Sequence, residues 1–138
     1  MGNKKILIVD DEDDIREVAT MSMEMTAGWE VVGARSGAEG LQKARAEKPD
    51  AILLDVMMPV MDGPATLQKL RADPEIAALP VVFLTAKLQA TDRRRLAELG
   101  AAGVLAKPFD PMTLAALVRR YAPAAESRVS ALRNTTPR

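Results

Sequence analysis

Short apolar runs rich in β-branched residues alternate along the chain with stretches whose apolar positions recur every three or four residues. That alternation is the signature of βαβ units and a parallel sheet. Five runs read as strands: Ile6–Val9, Glu30–Ala34, Ala51–Leu54, Val81–Leu84 and Gly103–Ala106. Three of them are continuous apolar segments bounded by charge, Pro or Thr, the pattern of strands covered on both faces. Ile15, Val18, Ala19, Ser22 and Met25 predict the inward stripe of a first helix that stops at Gly28. A second is expected from about Gly37 to Lys48, with Ala38, Leu41 and Ala44 inward and Pro49 ending it. A third opens after Asp62-Gly63-Pro64, where Asp can cap and Pro is tolerated in the first turn. The fourth covers about Thr91 to Leu99, before Gly100, and the fifth follows Asp110-Pro111 with Leu114, Leu117, Val118 and Tyr121 on one stripe. The expected class is α/β, with one domain over residues 1–122. Beyond Pro123 the pattern fades into a small, polar segment, so residues 123–138 read as a flexible tail.

Composition narrows the chemistry. The chain has 138 residues, 48% hydrophobic and 28% charged, enough to build its own core. Lys and Arg number 19 and so do Asp and Glu, which gives no support for bulk nucleic-acid or anionic-membrane binding. There is no cysteine and no histidine, which excludes disulfide scaffolds, thiol nucleophiles, Ser-His-Asp arrangements and His or Cys metal sites. No apolar run approaches the ~20 residues of a membrane span. The four apolar residues Ile6 to Val9 fall short of the ~7–15 of a signal-peptide core, so a cytoplasmic location is expected.

The polar residues that follow the strands carry the chemistry. The first strand runs into Asp10-Asp11-Glu12, the third into Asp55, the fourth into Thr85 and the fifth into Lys107. In an open parallel sheet the strand C-termini share one edge, where ligands bind. The fold therefore gathers acids, a hydroxyl and an ammonium around one cleft. Each alone has a plainer reading: helix capping for the acids, strand ending for Thr85, a surface position for Lys107. Four strand ends with complementary groups are harder to explain so. Adjacent carboxylates repel unless a cation lies between them, and oxygen-loving Mg²⁺ suits such a set.

These residues lie in stretches that resemble the receiver domain of two-component response regulators, similar to the single-domain chemotaxis regulators. The matching pieces are Ile6-Leu7-Ile8-Val9-Asp10-Asp11-Glu12, Leu53-Leu54-Asp55-Val56-Met57-Met58-Pro59 with Met61-Asp62-Gly63, Leu84-Thr85-Ala86 and Ala106-Lys107-Pro108-Phe109. The spacings agree as well: 44 residues from Asp11 to Asp55, 30 on to Thr85 and 22 on to Lys107. The resemblance implies a flavodoxin-like, doubly wound sheet of five parallel strands in the order 2-1-3-4-5, with five helices. It implies that Asp55 accepts a phosphoryl group from the phosphohistidine of a sensor kinase or phosphotransfer protein. Asp11, Asp55 and the backbone carbonyl of Met57 would hold Mg²⁺, with Asp10 acting mainly through water. Lys107 and the Thr85 hydroxyl would bind phosphoryl oxygens, and a cis bond before Pro108 would help aim Lys107. Such a protein modifies only itself and is no enzyme in the usual sense. It switches a downstream protein partner through the fourth helix, fifth strand and fifth helix, without touching nucleic acid or entering a membrane.

Three departures and neighbours qualify the resemblance. Val104 stands where the family often has an aromatic residue, so switching must run through backbone shifts near Thr85 and the fourth helix. Met57 and Lys87 border the site at positions similar to those that tune phosphoryl lifetime. The methionines of Met21-Ser22-Met23-Glu24-Met25 read as core and helix-surface filling, and Arg93-Arg94-Arg95 as a solvated surface. A relay or phosphate-sink role is the alternative output. A flavodoxin-like cofactor binder would want a Gly/Ser/Thr-rich loop where Asp10-Asp11-Glu12-Asp13 stands. A dehalogenase-type aspartyl phosphatase would want an Asp-x-Asp pattern, which Asp10-Asp11 lacks.

Overall fold

A computed structural model describes residues 4–86 and 90–122. The strands are β1 (Lys5–Val9), β2 (Glu30–Ala34), β3 (Ala51–Asp55), β4 (Val81–Thr85) and β5 (Gly103–Ala106). The helices are α1 (Asp13–Ala27), α2 (Gly37–Glu47), α3 (Gly63–Ala72), α4 (Ala90–Glu98) and α5 (Leu114–Tyr121). All strand pairs are parallel and the order is β2-β1-β3-β4-β5, as the resemblance implies. Lys87 and the segment 123–138 lie outside the described residues.

The period of two along each strand divides the core into two layers. Leu7, Val9, Ile52, Leu54, Val81, Phe83 and Val104 face α2, α3 and α4, meeting Leu41, Leu67, Leu70 and Leu96. Ile6, Ile8, Leu53, Val82, Leu84 and Leu105 face α1 and α5, meeting Ala19, Met23, Leu114 and Val118. Burial on both faces is why these strands read as unbroken apolar runs.

Helix ends follow local chemistry. Gly28 closes α1 in the left-handed region, φ 70°, with its N–H on the Glu24 and Met23 carbonyls. Asp62 accepts the Ala65 N–H at 2.9 Å, capping α3 ahead of Pro64. Two inward stripes differ from the pattern reading. On α1 the buried residues are Ala19, Ser22 and Met23, while Val18 and Met25 are 42% and 79% exposed. The Ser22 hydroxyl donates to the Pro111 carbonyl, so this polar position is satisfied on the same buried face as Ala19 and Met23. On α2, Ala38 is exposed and Gly40 takes its inward place, close against Val9. Arg93, Arg94 and Arg95 are all exposed.

Val60, in the β3–α3 connection, holds φ 68° and is fully exposed. A β-branched residue pays there for a left-handed backbone and regains nothing by packing. Val60→Gly should therefore stabilise the protein by about 0.5–1 kcal/mol, the relief of strain exceeding the added freedom of the unfolded chain. A lower midpoint in denaturant would refute that balance.

Candidate functional site

The strand ends are brought level by the sheet's own hydrogen bonds. The Asp10 N–H donates to the Ala34 carbonyl at 3.0 Å, Val56 N–H to Leu84 at 3.0 Å, and Lys107 N–H to Thr85 at 2.9 Å. Asp55 and Thr85 are the last residues of β3 and β4, and each is 2% exposed. Asp10, just past β1, is fully buried, while Asp11 beside it is exposed. Asp10, Asp11 and Asp55 each present an oxygen, all lying within 4.8 Å of one another. The expected gathering of acids at one sheet edge is present, and Thr85 ends the neighbouring strand.

Lys107 enters this cluster from β5. Its ammonium lies 2.8 Å from Asp10 Oδ2, 3.1 Å from Glu12 Oε1 and 3.2 Å from Asp55 Oδ1. The bond from Lys107 to Pro108 is cis. Burial opposes the charge of this lysine, but hydrogen bonding and attraction from Asp10, with Glu12 and Asp55, outweigh it and hold its pKa above the ordinary value. It stays an ammonium at any working pH. Asp55 is pushed the other way, up to about 6: burial is the main cause and the Asp10 charge adds to it, with Lys107 and the Met57 N–H pulling back. The Met57 N–H donates to Asp55 Oδ1 at 3.3 Å, while the Met57 side chain stands 62% exposed beside it.

Two contacts carry no periodic signal in the sequence. Glu12 occupies the N-cap position of α1 but caps nothing with its side chain; the carboxylate turns to Lys107 instead. Arg16, on the first turns of α1, donates from Nη1 to the Asp10 main-chain carbonyl at 2.7 Å. Only the adjacency of Glu12 to the acid pair hinted at the first, and nothing marked Arg16.

The residues present fit a hard cation. Asp10 Oδ2 is buried against the Lys107 ammonium at 2.8 Å, and Oδ1 is held by the Glu12 N–H at 2.9 Å. Three carboxylates with oxygens within 4.8 Å of one another around a single ammonium are a donor set suited to Mg²⁺. No helix among the described residues is long and apolar enough to cross a membrane.

Comparison with known proteins agrees with this geometry. A family model described as the response regulator receiver domain matches residues 6–119. The alkaline phosphatase synthesis transcriptional regulatory protein PhoP of Bacillus subtilis is 42% identical over 117 residues, 85% of this chain and 48% of the relative. Response regulator Rre1 of Synechocystis is 40% identical over 114 residues, covering 83% of this chain and 49% of that one. The chain thus spans about half the length of these relatives. Among solved structures, the chemotaxis response regulator CheY4 of Vibrio cholerae superimposes with a TM-score of 0.81 at 34% identity, over 87% of this chain and 99% of that one. By the match of its sequence and of its fold alike, the chain belongs to the family of response regulator receiver domains.

Proposed function

We propose that residues 1–122 form a phospho-accepting switch in which Asp55 takes a phosphoryl group from the phosphohistidine of a sensor kinase or phosphotransfer protein. The observation that carries this reading is the placing of Asp55: a buried carboxylate at the end of the central strand, flanked by Lys107 and by the Asp10–Asp11 pair. With a pKa of about 6, Asp55 is mostly ionised at neutral pH, so a lone pair is available for attack on phosphorus. As its bond to phosphorus forms, the phosphorus–nitrogen bond of the donor breaks and the electron pair leaves on the imidazole. Lys107 meets one phosphoryl oxygen as a fixed positive charge, and the Thr85 hydroxyl meets another. Asp11, Asp55 and the Met57 main-chain carbonyl are the residues that would hold Mg²⁺, with Asp10 acting through water. Bound Mg²⁺ supplies neutralisation of the oxygen charge in phosphoryl transfer.

The protein works as its own acceptor in the cytoplasm and passes the signal to a protein partner through α4, β5 and α5. Val104 fits this route: it is 6% exposed, packed in the layer that holds Phe83 and Leu96. A rotating surface aromatic is replaced by a core contact, so movement at Thr85 reaches α4 through packing of the β4–β5 pair. Incubation with acetyl phosphate and Mg²⁺ should add one phosphoryl group by intact mass, and none when a chelator replaces Mg²⁺. An unchanged mass in the presence of both would overturn the proposal.

A further inference from the structure

We propose that Arg16 is a positioning residue for the cation site: by tying the Asp10 main-chain carbonyl to α1, it holds the Asp10 and Asp11 carboxylates at the spacing a divalent cation needs. The inference rests on the Mg²⁺ reading above. Arg16 reaches back six residues and its side chain is 16% exposed, unusual for an arginine on an outer helix. One arm of its guanidinium donates to the Asp10 carbonyl at 2.7 Å and the other pairs with Asp13. Its stem crosses Gly33 of β2, where a Cβ would stand 3.5 Å from Arg16 Cδ, so the side chain is laid along the sheet edge.

Asp10 is thereby held at three points. Its N–H is fixed to the Ala34 carbonyl, its main-chain carbonyl to Arg16, and its Oδ1 to the Glu12 N–H. The remaining atom, Oδ2, is the buried oxygen that faces Lys107 at 2.8 Å and the other carboxylates of the cluster. With the backbone of the turn pinned on either side of it, that oxygen has little freedom to leave the cluster. Groups that orient metal ligands in this way typically change affinity 10–100-fold when removed.

The sign of the effect separates positioning from charge. Arg16 places a positive charge near the acids, so on Coulomb grounds alone its loss should tighten cation binding. Positioning demands the reverse. The test is calorimetric titration of the metal-free full chain with MgCl₂, with each variant's fold checked by thermal melting in chelator. Arg16→Gln should bind Mg²⁺ about tenfold more weakly than wild type. Arg35→Gln removes an exposed arginine that lines, with Arg16 and Gly33, the cleft between α1 and β2, and should bind as tightly as wild type or tighter. Arg16→Lys keeps the charge, but one ammonium cannot reproduce the two-armed fork, so its affinity should fall between the two. Arg16→Gln binding as tightly as wild type, or an equal loss in Arg35→Gln, overturns the positioning role. Should Arg16→Gln fail to fold, Arg16→Lys decides by the same criterion, weaker binding supporting the role and unchanged binding overturning it. Wild type that binds no Mg²⁺ overturns the metal reading itself.

Discussion

Asp55→Asn should take up no phosphoryl group from acetyl phosphate and Mg²⁺, and in chelator it should be more stable than wild type. The two effects share one cause. The carboxylate is held 2% exposed at the end of β3 beside the Asp10 charge, and its pKa is pushed up to about 6. Ionised Asp55 therefore costs the folded state free energy that the unfolded chain does not bear. The native state keeps its proton between about pH 4 and 6 while the unfolded chain has lost it, so stability falls as pH rises through that window. Well above pH 6 the penalty is complete, on the order of 3 kcal/mol. Asn is close in shape and cannot ionise. Its gain over wild type should be greatest at pH 7–8 and vanish toward pH 4, as read by denaturant midpoints across that range. A variant less stable than wild type at pH 8 would show that attraction from Lys107 outweighs burial and repulsion at Asp55. A variant that still gains one phosphoryl mass would move the acceptor elsewhere.

Gly63→Ala should cost about 3 kcal/mol, because the added methyl has nowhere to go. A Cβ there would stand 2.5 Å from the Asp55 carbonyl oxygen, 2.8 Å from Val56 Cα and 3.1 Å from Phe83 Cε1. Two of those neighbours are backbone of the segment that carries Asp55, and the Gly63 N–H is bonded to the Val56 carbonyl at 2.8 Å. Neither side can yield without shifting the acceptor. Alanine's better helix propensity, ~1 kcal/mol at most, does not offset the clash. Chemical denaturation should show a lower midpoint at unchanged slope, and phosphorylation by acetyl phosphate should slow in parallel. A midpoint equal to wild type would mean that the β3–α3 connection relaxes freely.

Strand and helix order were legible in the sequence because both faces of the sheet are covered. Apolar runs such as Ile6–Val9 and Val81–Leu84 can only be buried twice, and the turn chemistry at Gly28 and Asp62 is local. The candidate site was legible for the same reason: a parallel sheet sends every strand end to one edge, so Asp10, Asp11, Asp55, Thr85 and Lys107 are gathered by topology alone. The tertiary structure decided what periodicity leaves open. Two stripes of α1 fit a helical repeat, and docking against the sheet and the β5–α5 connection buries Ala19, Ser22 and Met23 while Val18 and Met25 stay exposed. It also decided that Lys107 meets Asp10, Glu12 and Asp55 together, that Arg16 reaches the Asp10 carbonyl, and that Val60 takes a left-handed backbone. Such contacts join residues across the chain or across a turn, where distance depends on how the layers dock, and no local propensity encodes that.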